Sequence, residues 1–196
     1  MTDVSSIAAA VRELSATFAG RLLQPTDAGY DEARRVHNGL IDKRPALIAQ
    51  CRGTADIVDA VRLARTLKLE VAVRGGGHNV AGRATIDGGL MIDLSPMKGI
   101  HVDANARTAR AQGGVTWAEL NRETQLHGLA VTGGVVSTTG IAGLTLGADR
   151  APGPRAGLGG RKLAWRDDHA AAGRRASRPL PRTDRARAAA VLVALG

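Results

Sequence analysis

The sequence is poor in cysteine and in aromatic residues: one Cys, one Phe, one Tyr and two Trp among 196 residues. Cys51 alone excludes an internal disulfide and any site assembled from several cysteines. The five histidines (37, 78, 101, 127 and 169) show no H-x-x-x-H spacing, so no metal site is expected. No run approaches the length of a membrane span, and charges interrupt the opening "MTDVSSIAAAVRELSATF" where a secretory leader would be apolar. A cytoplasmic chain without a membrane partner is the expectation.

Charge is unevenly spread. The net +9 divides into 16 basic and 14 acidic residues over 1–147 and 11 against 4 over 148–196. The basicity therefore belongs mainly to the last quarter, which suggests two segments of different character joined near Gly147.

Along the chain, Ile7, Val11, Leu14 and Phe18 recur at helical spacing and predict an amphipathic first helix. A polar, turn-rich lead-in follows, with Pro25, Gly29 and Pro45 opposing a long helix. "ALIAQC" reads as a strand, and Thr54 and Asp56 as the cap and first turn of a helix with Ile57, Val61 and Ala64 on its apolar face. "VAV" and "LMIDL" read as buried strands, and "IHVDANARTARAQGG" as a hairpin around Asn105. In "TWAELNRETQLHG", Thr116 and Glu119 have capping-box spacing and Gly128 supplies the stop. Strand–helix–strand units mixed with a hairpin predict an α+β fold rather than a doubly wound sheet.

Two glycine-rich regions hold the candidate chemistry. In "AVRGGGHNV", Gly75, Gly76 and Gly77 follow a strand and permit positive φ, and their bare amides can form a nest for an anion. A tight turn is the other reading of those residues. The dinucleotide fingerprint G-x-G-x-x-G fails, because Val80 occupies the third glycine position and Asn79 to Asp87 lacks a helical pattern. The second region, "LAVTGGVVSTTGIAGLTLG", mixes glycines with Ser137, Thr138 and Thr139. Two loops presenting amides suit a long diphosphate ligand gripped from two sides. Arg74 could neutralise phosphate or merely end its strand.

"PALIAQCRGTADIVDAVRLARTLKLEVAVRGGGHNVAG", "GGLMIDLSPMKGIHVD", "ARAQGGVTWAELN" and "GLAVTGGVVSTTGIAGLTLG" together resemble the flavin domain of the berberine-bridge-type FAD-linked oxidases. These belong to the PCMH-type (vanillyl-alcohol-oxidase) flavoprotein superfamily. The resemblance covers about Ala46 to Gly147, and "YDEARRVHNGLIDKRP" is similar to the family's lead-in. It implies two α+β subdomains with FAD between them. By the same resemblance Arg74, Gly75, Gly76, Gly77, His78 and Asn79 form the pyrophosphate loop. His78 matches a histidine that often bonds covalently to the flavin's dimethylbenzene methyl, a reaction that needs a neutral imidazole. Asp93, Leu94 and Met97 fall where the family lines the cofactor cleft. Gly133, Gly134, Ser137, Thr138, Thr139, Gly140 and Gly143 match its second flavin-contacting stretch. Doubly tethered members carry a cysteine where this chain has Val136, so no cysteinyl link is expected.

After "LTLG" the resemblance stops. Of the 49 residues from 148 to 196, 33 are Ala, Arg, Gly or Pro. GC-rich codons specify all four, so a shifted reading frame would give such a tail, and little of it is expected to pack. The chain then divides into a helix and lead-in (1–45), a partial PCMH-type FAD domain (46–147) and a basic tail (148–196). The family's substrate domain and catalytic base would lie elsewhere, so no catalytic residue is assigned, and a small-molecule substrate is expected only of a full-length relative. The leading reading is the FAD-binding domain of an oxidoreductase that passes hydride from substrate to flavin, inactive as this piece. A remnant without retained flavin is one alternative. A nucleic-acid-binding protein acting through the tail is another, weakened because Trp165 is the tail's single aromatic.

Overall fold

Leu47–Gln50 (β2) and Leu90–Asp93 (β4) lie side by side at the centre of a four-stranded sheet ordered β1-β2-β4-β3. The computed structural model describes residues 4–131, 133–147, 187–188 and 190–194. Strand β1 (Arg21–Leu23) pairs antiparallel with β2, while β2 and β3 (Val71–Arg74) each run parallel to β4. Both central strands are covered on both faces, and for that reason they read as unbroken apolar runs.

The pleat sends alternate side chains to opposite sides. On one face Leu47, Ala49, Leu90 and Ile92 pack with Ile7 and Val11 of α1 (Val4–Leu14) and with Ala60, Leu63 and Ala64 of α3 (Thr54–Thr66). Phe18 reaches the same cluster from beyond the end of α1. On the other face Ile48 and Met91 meet Leu23, Tyr30 and Ala33, the last two from α2 (Tyr30–Ala33). The Tyr30 hydroxyl donates to the Pro45 carbonyl at 2.6 Å, so the burial of this side chain leaves no orphaned polar atom there.

Two local expectations are corrected and one is extended. Strand β3 is an edge strand rather than a buried one: Ala72 is buried, but Val71 and Val73 face outward because β3 has a neighbour only in β4. The cap of α3 is Gly53, not Thr54, which is the first helical residue. Asp56 does more than favour a helix start. Its buried carboxylate accepts the Ala19 N–H at 2.9 Å and the Arg52 N–H at 2.7 Å, tying the chain after α1 to the turn before α3.

A second lobe begins with the hairpin β5 (Ile100–Asp103) and β6 (Thr108–Gln112), whose turn is braced by the Asp103 carboxylate accepting from the Ala106 N–H. Helix α4 (Trp117–Gln125) follows with its capping box formed, the Thr116 N–H donating to Glu119 at 2.8 Å. Gly128 takes φ 63°, the left-handed turn that the sequence placed there. Strand β7 (Leu129–Ala130) and helix α5 (Ile141–Gly147) complete this part. Ala109, Ala111, Val115, Trp117, Leu120, Ile141 and Ala142 form its core.

Of the basic tail, residues 148–186 lie outside the described residues. Arg187–Ala188 (β8) runs parallel to β7, and Ala190–Ala194 (β9) runs parallel to β6 along its free edge. The sequence reading expected little of the tail to pack. "AVLVA" is its compact apolar, β-branched run, and it forms the longer of the two described tail strands.

Candidate functional site

The parallel strands β2, β3 and β4 end on the same side of the sheet, where ligand loops of parallel sheets gather. Cys51 continues β2 there, Gly75 continues β3 and Leu94 continues β4. Backbone bonds from the Cys51 N–H to the Asp93 carbonyl (2.9 Å) and from the Leu94 N–H to the Arg74 carbonyl (2.8 Å) keep the three ends in register.

From β3 the chain returns to its parallel neighbour β4 through residues 75–89 without a helix. The glycine loop opens that connection. Of the three glycines, which all permit positive φ, only Gly77 uses it (69°). The other two are required by close approach. A Cβ on Gly75 would stand 2.7 Å from the Gly113 carbonyl oxygen, and one on Gly76 would stand 2.3 Å from the Gly140 nitrogen. Conversely, a Cβ on Gly140 would meet the Gly76 nitrogen at 2.5 Å. The two glycine regions named from sequence therefore touch backbone to backbone.

Among the described residues, no acceptor is paired with the N–H groups of Gly75, Gly76, Gly77, His78 or Asn79. Five consecutive amides without protein acceptors, beside a backbone crossing that only glycine permits, fit a ligand carrying several anionic oxygens. Asn79 braces the loop's exit: its side-chain oxygen accepts the Arg83 N–H at 3.1 Å and its carbonyl accepts the Gly82 N–H at 3.0 Å.

His78 projects from this loop towards the second region. Its Nε2 lies 3.3 Å from the Thr138 hydroxyl and its Nδ1 lies 3.4 Å from the Thr139 hydroxyl. On its face rests the ring of His37, with centroids 4.0 Å apart and planes at 14°. Burial lowers the His78 pKa, the neighbouring His37 adds to this, and a hydrogen bond to the Thr138 backbone opposes both; the net shift is downward. His78 is thus held as the neutral imidazole over a wider pH range than a free one.

The second region is built around α4. The Thr139 and Ser137 carbonyls accept the N–H groups of Trp117 and Ala118 at 3.0 and 2.9 Å, satisfying the first turn of that helix. Gly133 and Gly134 lie against the Trp117 indole, where a Cβ would come within 2.2 Å and 2.8 Å of ring atoms. Gly143, on α5, has open space around it.

The remaining sequence-chosen residues have partners within the scaffold. Asp93 is fully buried, accepting from the Gln50 side-chain amide (3.1 Å) and the Ser95 N–H (3.0 Å), with Arg74 Nε 3.7 Å away. Arg74 also donates through Nη1 to the Ala33 carbonyl, so its charge is turned to protein partners. Leu94 and Met97 are buried in the first core. Cys51 is buried as well, and desolvation, with Asp56 and Asp93 nearby, pushes its thiol up to about 12. Burial would raise the Glu119 carboxyl, but Lys98 at 2.8 Å and the Thr116 donors outweigh that and lower it.

Sequence reasoning missed Gly113, which meets Gly75, and His37. A second glycine pair following a strand was a usable signal for Gly113. Nothing local marked His37. The lead-in also straps the loop elsewhere: the His37 N–H donates to the Gly77 carbonyl at 3.0 Å, the Asn38 amide to the Val80 carbonyl at 2.8 Å, and Lys43 to the Gly82 carbonyl at 3.1 Å.

Comparison with known proteins gives this arrangement a family. The family described as "FAD binding domain" matches residues 45–158, more than half of the chain. The (R)-6-hydroxynicotine oxidase of Paenarthrobacter nicotinovorans is 40% identical over 127 residues, which cover 65% of this chain and 28% of that protein. An uncharacterized FAD-linked oxidoreductase of Bacillus subtilis is 33% identical over 128 residues, 65% of this chain and 28% of its own length. Among solved structures, 6-hydroxy-D-nicotine oxidase from Arthrobacter nicotinovorans superposes with a TM-score of 0.64 at 39% identity, covering 65% of this chain and 28% of that one. Glucooligosaccharide oxidase from Acremonium strictum, whose FAD is described as 6-S-cysteinyl and 8α-N1-histidyl, gives a TM-score of 0.65 at 28% identity, over 72% of this chain and 30% of that one. The chain spans less than a third of the length of these relatives. The chain belongs to the FAD binding domain family, and the relatives it is similar to include FAD-linked oxidases and oxidoreductases.

Proposed function

We propose that this chain supplies the FAD-holding part of an oxidase that removes hydride from a small-molecule substrate. The observation that carries this reading is the row of amides from Gly75 to Asn79 that have no acceptor among the described residues, set where Gly76 and Gly140 meet. Those amides would bind the pyrophosphate, Gly77 would turn the chain around it, and the Ser137–Gly140 stretch would close the opposite side. When bound, FAD supplies a two-electron acceptor that takes hydride and passes the electrons on, typically to oxygen.

His78 would contribute a ring nitrogen to a covalent tether. Its depressed pKa keeps a lone pair available, and the Thr138 and Thr139 hydroxyls can each donate or accept, so they serve either tautomer. A His78 ring nitrogen would hold the flavin covalently, with the Thr138 and Thr139 hydroxyls holding the edges of that ring. Cys51 takes no part, since its thiol is fully buried in the core.

No general base belongs to this reading. Glu119 is engaged by Thr116 and Lys98 and completes the α4 cap. Substrate oxidation would need residues beyond those of this chain, and the composition after Gly147 supports a shifted frame as the reason. In that case a one- or two-base correction near codon 147 opens a frame that continues for hundreds of codons, with further glycines and then an aromatic.

The direct test is acid precipitation after incubation with FAD. Wild-type chain is expected to carry flavin into the pellet. His78→Ala is expected to release it while still binding FAD reversibly, because the loop amides are unchanged. Acid-stable flavin on His78→Ala would refute the tether, and a wild-type chain that takes up no FAD would refute the site.

A further inference from the structure

We propose that His37 is a positioning residue for His78: its ring covers one face of the His78 imidazole and fixes the plane in which that imidazole presents its nitrogens. This rests on the reading of the loop as an FAD site, but the geometry belongs to the chain itself. The rings lie nearly parallel, 14° apart, with centroids at 4.0 Å. The Thr138 and Thr139 hydroxyls take the two ring nitrogens at 3.3 and 3.4 Å. One face and two edges of His78 are thereby held by three different residues. A tilt of the imidazole would disturb the stack and both hydroxyl contacts, and a flip would break the two hydroxyl contacts.

The backbone keeps His37 in place. Its N–H donates to the Gly77 carbonyl at 3.0 Å, immediately before His78, and the Asn38 side chain donates to the Val80 carbonyl at 2.8 Å, just after it. Residues 37 and 38 are thus fastened to the loop on either side of the histidine. His37 itself is exposed on its remaining surface, so its position is set by this strap and by the stack rather than by burial in a core.

The stack also bears on charge. Charge on the stacked His37 ring opposes a proton on His78. The groups that act on His78 are its partial burial and His37, both favouring the neutral ring, and Thr138, which opposes them. Orientation and neutrality are the two conditions that a ring nitrogen needs to act as a nucleophile.

The experiment uses the 196-residue chain, with FAD as the added probe, in three forms: wild type, His37→Ala and His37→Phe. Nitrogen NMR of the imidazoles follows the titration of His78 without flavin. His78 is expected to titrate below the ordinary imidazole range in wild type, to move up in His37→Ala, which loses both the covering ring and its charge, and to move up less in His37→Phe, which keeps the cover alone. With FAD, the rate of acid-stable attachment is expected to fall by roughly 10- to 100-fold in His37→Ala and to recover in His37→Phe. An unmoved His78 titration in His37→Ala overturns the proposal whether or not flavin binds. Attachment at the wild-type rate in His37→Ala overturns it equally. A wild-type chain that attaches no flavin counts against the tether reading instead, and the titration then decides the role of His37 alone.

Discussion

In the first lobe, Leu47, Ile48, Leu90 and Met91 are fully buried between two layers, and the polar groups beside them, Asp56, Asp93 and Tyr30, have partners from separate segments. In the second lobe, four of the seven core residues are Ala or Val, and one large side chain, Trp117, fills the space that two glycines leave. The buried Trp117 Nε1 has no hydrogen-bond partner among the described residues. The first lobe is a covered sheet whose buried carboxylates and phenol are clamped, although Arg74 Nε and Thr85 Oγ1 have no hydrogen-bond partner among the described residues. The second is a thin layer wedged open by one indole, and its carbonyls from Ser137 and Thr139 serve α4 rather than one another. The candidate site lies where these two styles of construction meet, and its rigidity depends on the weaker partner.

Two substitutions probe that contrast. Trp117→Ala removes the wedge and is expected to cost about 3–5 kcal/mol, the usual range for deleting a buried aromatic. Its signature is loss of protection in β6 and α4 while the amides of β2 and β4 keep theirs, measured by hydrogen exchange. Equal loss in both lobes would mean that they unfold as one unit and that the contrast is only visual. Asp56→Ala addresses the first lobe and is expected to cost less, about 1–3 kcal/mol, because it leaves the Ala19 and Arg52 N–H groups without their acceptor. Thermal unfolding should show a lower midpoint with FAD uptake per folded chain unchanged. Reduced uptake at full folding would show that the clamp reaches the loop through the end of β2.

The two lobes also differed in how much of them could be read from sequence. Strands β2 and β4 were legible because apolar runs bounded by turn residues leave few alternatives, and the hairpin because its alternation breaks at Asn105. Helix α4 was legible in full, cap and stop included, since capping chemistry is local. Strand β1 was hidden in a polar lead-in, where pairing with β2 supplies the order that three residues of RLL lack on their own. The exposure of β3 was misjudged because Val-Ala-Val looks the same at an edge as at a centre.

At the site, the glycines were found but their reason was only partly right. Gly77 is present for its backbone angle, whereas Gly75 and Gly76 are present because Gly113 and Gly140 pass close by, a tertiary fact. His37 was invisible for the same reason: its partner lies far along the chain, and only the fold brings the rings together. Arg74 and Asp93 were selected by resemblance, and their bonds to Ala33, Gln50 and Ser95 give them a task in holding strand ends.

The central claim is that the crossing of Gly76 and Gly140 shapes a loop whose free amides hold the FAD pyrophosphate. The measurement that addresses it most directly is titration of the chain with FAD, followed by flavin fluorescence, for wild type and Gly76→Val. A valine Cβ would stand 2.3 Å from the Gly140 nitrogen, so the two regions must separate to admit it. The prediction is saturable binding to wild type, with affinity reduced about 100-fold or more in Gly76→Val, as loss of several charge-assisted hydrogen bonds implies. Equal FAD affinity in the two proteins would contradict the account and leave the glycine loop as a turn.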